Sequence, residues 1–592
     1  MKFKNIEEQK MIDLKKKPFN LKDSQQKEIL KIVEDMTIDE KIGQLLCPQL
    51  SIFSEELVNY YIQILHIGSF MIRPFEGEGL KENIQACQRQ SKLPLLVAAN
   101  LENGGNGAIL EGTLFANPMG TAATGDSKNA YRLGKIACGQ ASSVGVNWGF
   151  APIVDIDSNY HNPITNVRTF GNDKDKVLEF AGEYIRAAEE EGVTAVIKHF
   201  PGDGQDERDQ HLLVSVNDLS YDDWMNSYGK IYKSLIEEGA ASVMVGHIAA
   251  PFVAKELSPD ISEEEMYLPG TQSKTLISKL LRQKLGFNGV VITDSTLMVG
   301  YMQNIPRACA VPYSIECGVD MILFNRAIEE DIRFLKEGVA KGILSKKRLD
   351  EAAARVLALK MAKGLFEKRN KDVTQDVRQL IQNENTLAWV KECADEAITL
   401  VKDTKGVLPL SPSKTKRIYL NVIEGQIRNN SAFAKDMKSR LEKEGFKVTL
   451  RRRKYSFDPN NINLNNITPA VNKVICEEAL CNTANFTDKY DMAMIVINLE
   501  TASNATVVRV NWNVLFGMGN DLPWYSGEMP LLVVSTCNPY HLLDVPMAHA
   551  YINTYTNNEA TRAALFEKLM GRSDFKGVSP VDAFCGKADA RL

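Results

Sequence analysis

Short apolar stretches alternate with longer amphipathic ones through the first two thirds of the chain. Runs rich in Val, Ile, Leu and Ala predict strands over His66–Ile72, Leu95–Ala99, Val146–Val154, Val193–Ile197, Ser242–Gly246, Val290–Thr293 and Val319–Phe324. Apolar positions spaced three and four apart predict helices over 21–35, 37–46, Asn129–Ser143, Lys174–Glu191, Ser227–Glu238, Lys274–Leu285, Glu329–Ala340 and Ser345–Lys368. Thr37 and Glu40 have the spacing of a capping box at the start of the second of these. Strand and helix alternating in this way over about 300 residues call for parallel strands joined by crossover helices. Such an α/β chain closes as a (β/α) barrel or lies open as a doubly wound sheet, and periodicity leaves both standing.

The strand ends carry more information than the periodicity. They stop at Asn100 and Glu102, at Asp155 and Asp157, at Lys198 and His199, at His247, at Asp294 and at Asn325. One polar residue in such a place is ordinarily a helix cap or a satisfied core group. Strand after strand ending this way points to a shared face, as at the catalytic mouth of a barrel. The densest case is Val193–His211, VTAVIKHFPGDGQDERDQH. Its strand is expected to end at Lys198 and His199, after which Pro201, Gly202 and Gly204 turn the chain into a loop. That loop holds Asp203, Asp206, Glu207, Arg208, Asp209 and His211.

After Asn325 the last helices finish this domain, placing it at residues 1–370, and a charged connector with the helix Asn385–Ala397 occupies about 371–394. A second α/β pattern fills 395–592, with strands expected over Ala397–Val401, Arg417–Val422, Met492–Asn498, Leu531–Cys537 and Ala550–Thr554. Apart from Asn538 and His541, few polar groups gather at these strand ends, so the second domain reads as structural or substrate-shaping. The Asn- and Lys-rich stretch from about 452 to 490 shows the weakest pattern.

Composition narrows the function classes. With 44% apolar and 24% charged residues and a net charge of −5, the chain is an ordinary globular protein. It offers no electrostatic reason to bind nucleic acid or an anionic membrane. No apolar run approaches the roughly 18 residues that span a bilayer. The opening MKFKNIEEQKMIDLKKK lacks the apolar core of a secretory signal, which sets the expectation of a cytoplasmic protein. Its ten cysteines follow no repeated spacing and are expected to be reduced thiols. Cys476 and Cys481 lack the second pair or the histidines that would complete a zinc site. There is no G-x-x-x-x-G-K-[ST] loop, no H-E-x-x-H and no G-x-G-x-x-G. No metal or organic cofactor is implied.

Hydrolytic chemistry needs a nucleophile or base and an acid. Asp294, in GVVITDSTLMVG, directly follows a buried strand and is the best carboxylate candidate, its plainer role being a helix N-cap. His211 is the candidate acid, because a carboxylate at Asp209 would orient the imidazole and raise its pKa. The flanking glycines Gly202 and Gly204 suggest a loop that can swing over a bound ligand.

The runs KHFPGDGQDERDQH, FAPIVDIDSNYHNPITNVRTFG and GFNGVVITDSTLM together resemble glycoside hydrolase family 3, in its bacterial β-N-acetylglucosaminidase branch. MTIDEKIGQLL, VMVGHI, GVDMIL and AITLVKDTKGVLPL match further blocks in the same order. The resemblance implies an N-terminal (β/α)8 barrel followed by a C-terminal α/β sandwich domain. It implies a retaining mechanism through a covalent glycosyl-carboxylate. Asp294 falls on the nucleophile, and His211 with Asp209 falls on the acid/base dyad. Arg168, Lys198 and His199 fall on sugar-binding positions; Asn100, Glu102 and His247 complete the candidate substrate-binding set.

Three departures bear on the sugar rather than on the reaction. The D-Q-E-G-G-R block of the branch is one residue longer here and begins with Asn100, which hydrogen-bonds but brings no charge. P-G-H-G is replaced by P-G-D-G, and Gln210 stands where Ser separates the dyad. The expected activity is that of an exo-β-N-acetylglucosaminidase on small glycans, such as cell-wall fragments. A β-glucosidase or β-xylosidase, or a phosphorylase using phosphate as acceptor, is the alternative. Its expected partner is a small carbohydrate, and the sequence leaves the oligomeric state open.

Overall fold

A computed structural model describes residues 12–369, 373–425, 431–451, 468–469, 472–473, 481–500, 503–512 and 522–592. Two compact units account for the chain: Met1–Pro118 with Asp126–Trp389 and Ser503–Thr506, and Met119–Gly125 with Val390–Ala502 and Val507–Leu592. One division between them falls within the helix Glu384–Ala397.

The first unit is a closed parallel barrel. Its strands are β1 (Leu46–Cys47 and Gln49–Leu50), β2 (Ser69–Ile72), β3 (Leu96–Ala99), β4 (Trp148–Gly149), β5 (Thr194–Phe200), β6 (Ser242–Val245), β7 (Val290–Thr293) and β8 (Ile322–Leu323). Each pairs with the next, from Gln49 opposite Met71 in β1 and β2 to Val290 opposite Ser242 in β7 and β6. A bridge from Ile292 to Met321 and the pairs Leu46–Ile322 and Cys47–Leu323 close the ring. Closure decides between the two topologies that periodicity allowed. Strands buried on both faces are the reason for the continuous apolar runs.

Two expectations need correcting. The expected strand Val146–Val154 shrinks to Trp148–Gly149, because beyond it the chain forms the loops that carry Asp155 and Arg168. β5, by contrast, does not stop at Lys198 but runs through His199 to Phe200. Both polar side chains find carboxylate partners at the barrel end, so the strand tolerates them while buried.

The second unit is a six-stranded sheet of β9 (Thr399–Asp403), β10 (Arg417–Ile423), β11 (Lys447–Leu450), β12 (Met492–Ile497), β13 (Leu531–Ser535) and β14 (Ala550–Asn553). Its order is β9-β14-β13-β12-β10-β11, parallel except for β9 against β14. Apolar clusters cover both faces. Asn538 and His541 are buried here, with His541 Nδ1 2.9 Å from Ser535 Oγ. Most of 452–490 lies outside the described residues; its described part includes the helix Thr483–Thr487.

Candidate active site

The C-terminal ends of β3, β5, β6 and β7 bring the predicted residues together. Asp294 follows β7, its N–H donating to Val245 O at 2.8 Å, and its Oδ1 accepts from Ser295 N at 2.7 Å. Its side chain keeps 14% exposure and its Oδ2 lies 3.8 Å from His199 Nε2. Burial raises the Asp294 pKa, but His199, His247, His211 and the Ser295 N–H more than offset this and leave it below the usual carboxylate value. Asp294 is therefore an anion at neutral pH, as a nucleophile must be.

His199 is oriented from behind. Asp155 Oδ2 accepts from His199 Nδ1 at 2.7 Å, and Asp155 Oδ1 accepts the backbone N–H of His199 at 3.1 Å and of Asp203 at 2.8 Å. The carboxylate requires the proton on Nδ1, which turns Nε2 toward Asp294. Asp155 was visible in the sequence as a strand-end acid, but nothing there distinguished it from its neighbour Asp157. Asp157 instead ties down the following loop, accepting from Thr165 Oγ1 at 2.6 Å and Asn166 N at 3.1 Å.

Glu102, Arg168 and Lys198 form one ionic cluster. Arg168 donates to Glu102 through Nε at 2.9 Å and Nη2 at 2.8 Å, and Lys198 Nζ donates to Glu102 Oε1 at 2.7 Å. Burial raises the Glu102 pKa, yet the two cations overcome it and hold the carboxyl well below its ordinary value. Two cations against one anion leave the cluster with a positive charge. Beside it lies a cavity of about 300 Å³ lined by Arg73, Asn100, Glu102, Asn103, Gly107 and Arg168, among others. Its size is at the lower end of small-ligand pockets. Gly107 is required there, since a Cβ at that position would stand 1.6 Å from Asn100 O.

The dyad sits on the loop after β5. Asp209 Oδ1 accepts from His211 N at 2.9 Å and from His211 Nδ1 at 2.6 Å. The Asp209 side chain is fully buried, whereas the His211 side chain is 25% exposed. Burial raises the Asp209 pKa, but the His211 contacts and the N–H of Asn504 outweigh it and lower the pKa. Asn504 N lies 2.7 Å from Asp209 Oδ2, and Ser503–Thr506 belongs to the first unit. A residue so distant in sequence left no signal by which spacing could find it. With Nδ1–H committed to Asp209, Nε2 is the nitrogen left for a mobile proton.

Gly202 and Gly204 have positive φ, and a Cβ would meet the Tyr228 ring at 2.1 Å and Ile156 O at 2.0 Å, respectively. Close packing thus accounts for these glycines. The loop is docked on the segment that follows Asp294: Val299 N donates to His211 O at 3.0 Å, and Val214 N to Gln303 Oε1 at 3.0 Å.

His247 departs from its expected role as a sugar ligand. It is fully buried, and its Nε2–H donates to Ser295 O at 2.9 Å while Nδ1 accepts from Thr271 Oγ1 at 3.0 Å. Both ring nitrogens are used by the protein, and burial pushes the pKa down to about 4. His247 is a neutral brace under the Asp294 turn. Among the described residues no group of three or more His, Cys, Asp or Glu is placed to hold a metal ion, and no helix is long and apolar enough to cross a membrane.

Comparison with known proteins identifies the family. Residues 37–359 match the family described as the glycosyl hydrolase family 3 N terminal domain. A β-N-acetylglucosaminidase/β-glucosidase of Cellulomonas fimi is 37% identical, covering 98% of this chain and all of that protein. A solved structure of the β-glucoside phosphorylase BglX is 42% identical with a TM-score of 0.88, covering 98% of this chain and 99% of that one. A family 3 β-N-acetylglucosaminidase structure from Paenibacillus sp. shares the fold at a TM-score of 0.74 and 21% identity, over 93% of this chain and 99% of that one. On the family match, the full-length relative and the barrel that carries the site, this chain belongs to glycoside hydrolase family 3.

Proposed function

We propose that the protein is a retaining, exo-acting β-glycosidase that removes terminal N-acetylglucosamine or glucose units from small β-glycosides. The observation that carries this reading is the pairing of His211 with Asp209 on a loop hydrogen-bonded to the segment that follows Asp294. An ionised carboxylate and an oriented imidazole then share one frame at the barrel mouth.

In the first step an Asp294 oxygen attacks the anomeric carbon. The bond to the leaving oxygen breaks as His211 Nε2 gives that oxygen its proton, and a glycosyl ester of Asp294 forms. In the second step water attacks the same carbon, neutral Nε2 takes a proton from it, and the ester bond breaks to restore the carboxylate. Asp209 fixes the imidazole's tautomer and stabilises its protonated form. Lys198 and Arg168 keep donors beyond those given to Glu102, and these, with Asn100, would bind sugar hydroxyls. The candidate dyad favours N-acetylglucosaminides, whereas Asn100 relaxes the demand for one sugar. The dual name of the Cellulomonas fimi relative supports both substrates.

A panel of nitrophenyl β-glycosides tests the reading. Turnover of the N-acetylglucosaminide or the glucoside with retained configuration is expected, with a 2-fluoro sugar labelling Asp294. Inverted configuration or labelling elsewhere would overturn it.

A second reading has its own support. Once His211 has given up its proton it is neutral, so it does not repel a phosphate approaching the glycosyl ester, as a carboxylate acid/base would. The 42%-identical BglX structure is of a phosphorylase. Product analysis with phosphate present is expected to show a sugar 1-phosphate beside the free sugar.

A further inference from the structure

Gln210 separates Asp209 from His211, yet it is only 1% exposed and touches neither of them in the hydrogen-bond network. Its Oε1 accepts the backbone N–H of His247 at 2.7 Å, immediately beyond β6. Its Nε2 donates to Asp203 Oδ2 at 3.3 Å. Asp203 is held in turn by Asn162 Nδ2 at 3.1 Å and Gly204 N at 2.8 Å on its other oxygen. A buried primary amide satisfied at both ends is a fixed point, since moving it would strand the N–H of His247.

The surroundings are shaped to admit it. A Cβ on Gly246 would come 2.9 Å from Gln210 Oε1, and a Cβ on Gly300 would come 2.6 Å from Gln210 O. Glycine on both sides lets the amide and the backbone of residue 210 pack against the turns after β6 and β7. The ring of the same His247 holds Ser295 O, and Ser295 N holds Asp294 Oδ1. Gln210 is therefore anchored to the residue that braces the nucleophile's turn.

We propose that Gln210 is a positioning residue: its side chain locks the His211–Asp209 loop to the ends of β5 and β6, and so sets where the imidazole delivers its proton relative to Asp294. This rests on the acid/base reading of His211. No part of it requires Gln210 to touch substrate.

The test compares Gln210→Leu, Gln210→Glu and His211→Ala on glycosides whose leaving groups span nitrophenols to simple alcohols. Gln210→Leu is expected to lower kcat/KM at least hundredfold for poor leaving groups and less than tenfold for dinitrophenyl glycosides, with the basic limb of the pH profile displaced. Gln210→Glu keeps an acceptor for His247 N. Burial and Asp155 push the Asp203 carboxyl up to about 8, so protonated Asp203 can donate to the new carboxylate at neutral pH. This variant is expected to keep more activity than Gln210→Leu there and to lose it as pH rises past 8. Equal losses across leaving groups, or an unchanged pH profile, in a folded Gln210→Leu protein would overturn the proposal. Should Gln210→Leu not fold, the same leaving-group series on Gln210→Glu above pH 8, where both carboxyls are ionised and repel, decides it, flat losses again overturning it. His211→Ala separates the two levels. If it shows no leaving-group dependence the acid/base reading itself falls, and if it does while the Gln210 variants do not, only the positioning role falls.

Discussion

Replacing Glu102 by Gln isolates the ionic cluster at the barrel mouth. The amide matches the carboxylate in shape but loses its charge and one of its two acceptor oxygens. Glu102 receives two hydrogen bonds from Arg168 and one from Lys198, at 2.7–2.9 Å. Whichever way the new amide turns, its NH2 faces Arg168 Nε or the pair formed by Arg168 Nη2 and Lys198 Nζ. A charge-assisted hydrogen bond contributes about 1.5–3 kcal/mol, and leaving a buried charge without its partner costs about 3–5 kcal/mol. Side-chain exposures of 3% for Lys198 and 25% for Arg168 allow water to compensate Arg168 in part but hardly Lys198. The expected loss is therefore about 3 kcal/mol. Urea unfolding followed by tryptophan fluorescence measures it, Trp148 and Trp224 being buried in this unit. Because the Glu102 pKa is depressed, its contribution is full above the ordinary value of 4.5 and is lost progressively as pH falls from there toward the lowered value. The difference between wild type and Glu102→Gln should thus stay undiminished from neutral pH down to about 4.5, the ordinary value for a glutamate, and shrink gradually below it. A loss under about 1 kcal/mol, or one that vanishes by mildly acid pH, would refute the reasoning.

Asp294→Ala is expected to lower turnover by several orders of magnitude in a folded protein, read as kcat on aryl glycosides; near-normal activity would exclude it as nucleophile. Asp209→Asn should reproduce the His211→Ala leaving-group dependence in milder form, since it weakens the imidazolium's partner but keeps the ring; the same substrate series measures it. His247, buried and neutral with its pKa moved from 6.5 to about 4, takes up a proton more readily in the unfolded chain. Its contribution to stability should accordingly be full above pH 6.5 and fall as pH drops toward 4, a slope that His247→Gln should reduce in urea unfolding at stepped pH.

Much of the mouth was legible because strand ends announce themselves. A buried apolar run that stops at Asp294, or that carries Lys198 and His199 at its end, breaks a pattern that burial otherwise enforces. The sugar-facing assignment of His247 failed for a related reason: sequence shows that a histidine stands at a strand end, not which way its ring turns. Only packing against Thr271 and Ser295 decides that both nitrogens are taken. Gly202 and Gly204 likewise read as hinges in one dimension, whereas Tyr228 and Ile156 O show the close approach that requires them.

The sequence by itself determined the alternation of strand and helix, the polar strand ends and the local pairing of Asp209 with His211. These follow from burial periodicity and from contacts between residues two apart, both written locally in the chain. The resemblance already implied a barrel, but periodicity left closure open, and only the tertiary structure shows the pairing of Leu46 with Ile322 that closes it across almost the whole first unit. Tertiary structure also decided that Asp155 stands behind His199, that Glu102 receives both Arg168 and Lys198, and that Asn504 N reaches Asp209. Each of those contacts joins residues tens to hundreds of positions apart, and only the folded backbone brings them to hydrogen-bonding distance.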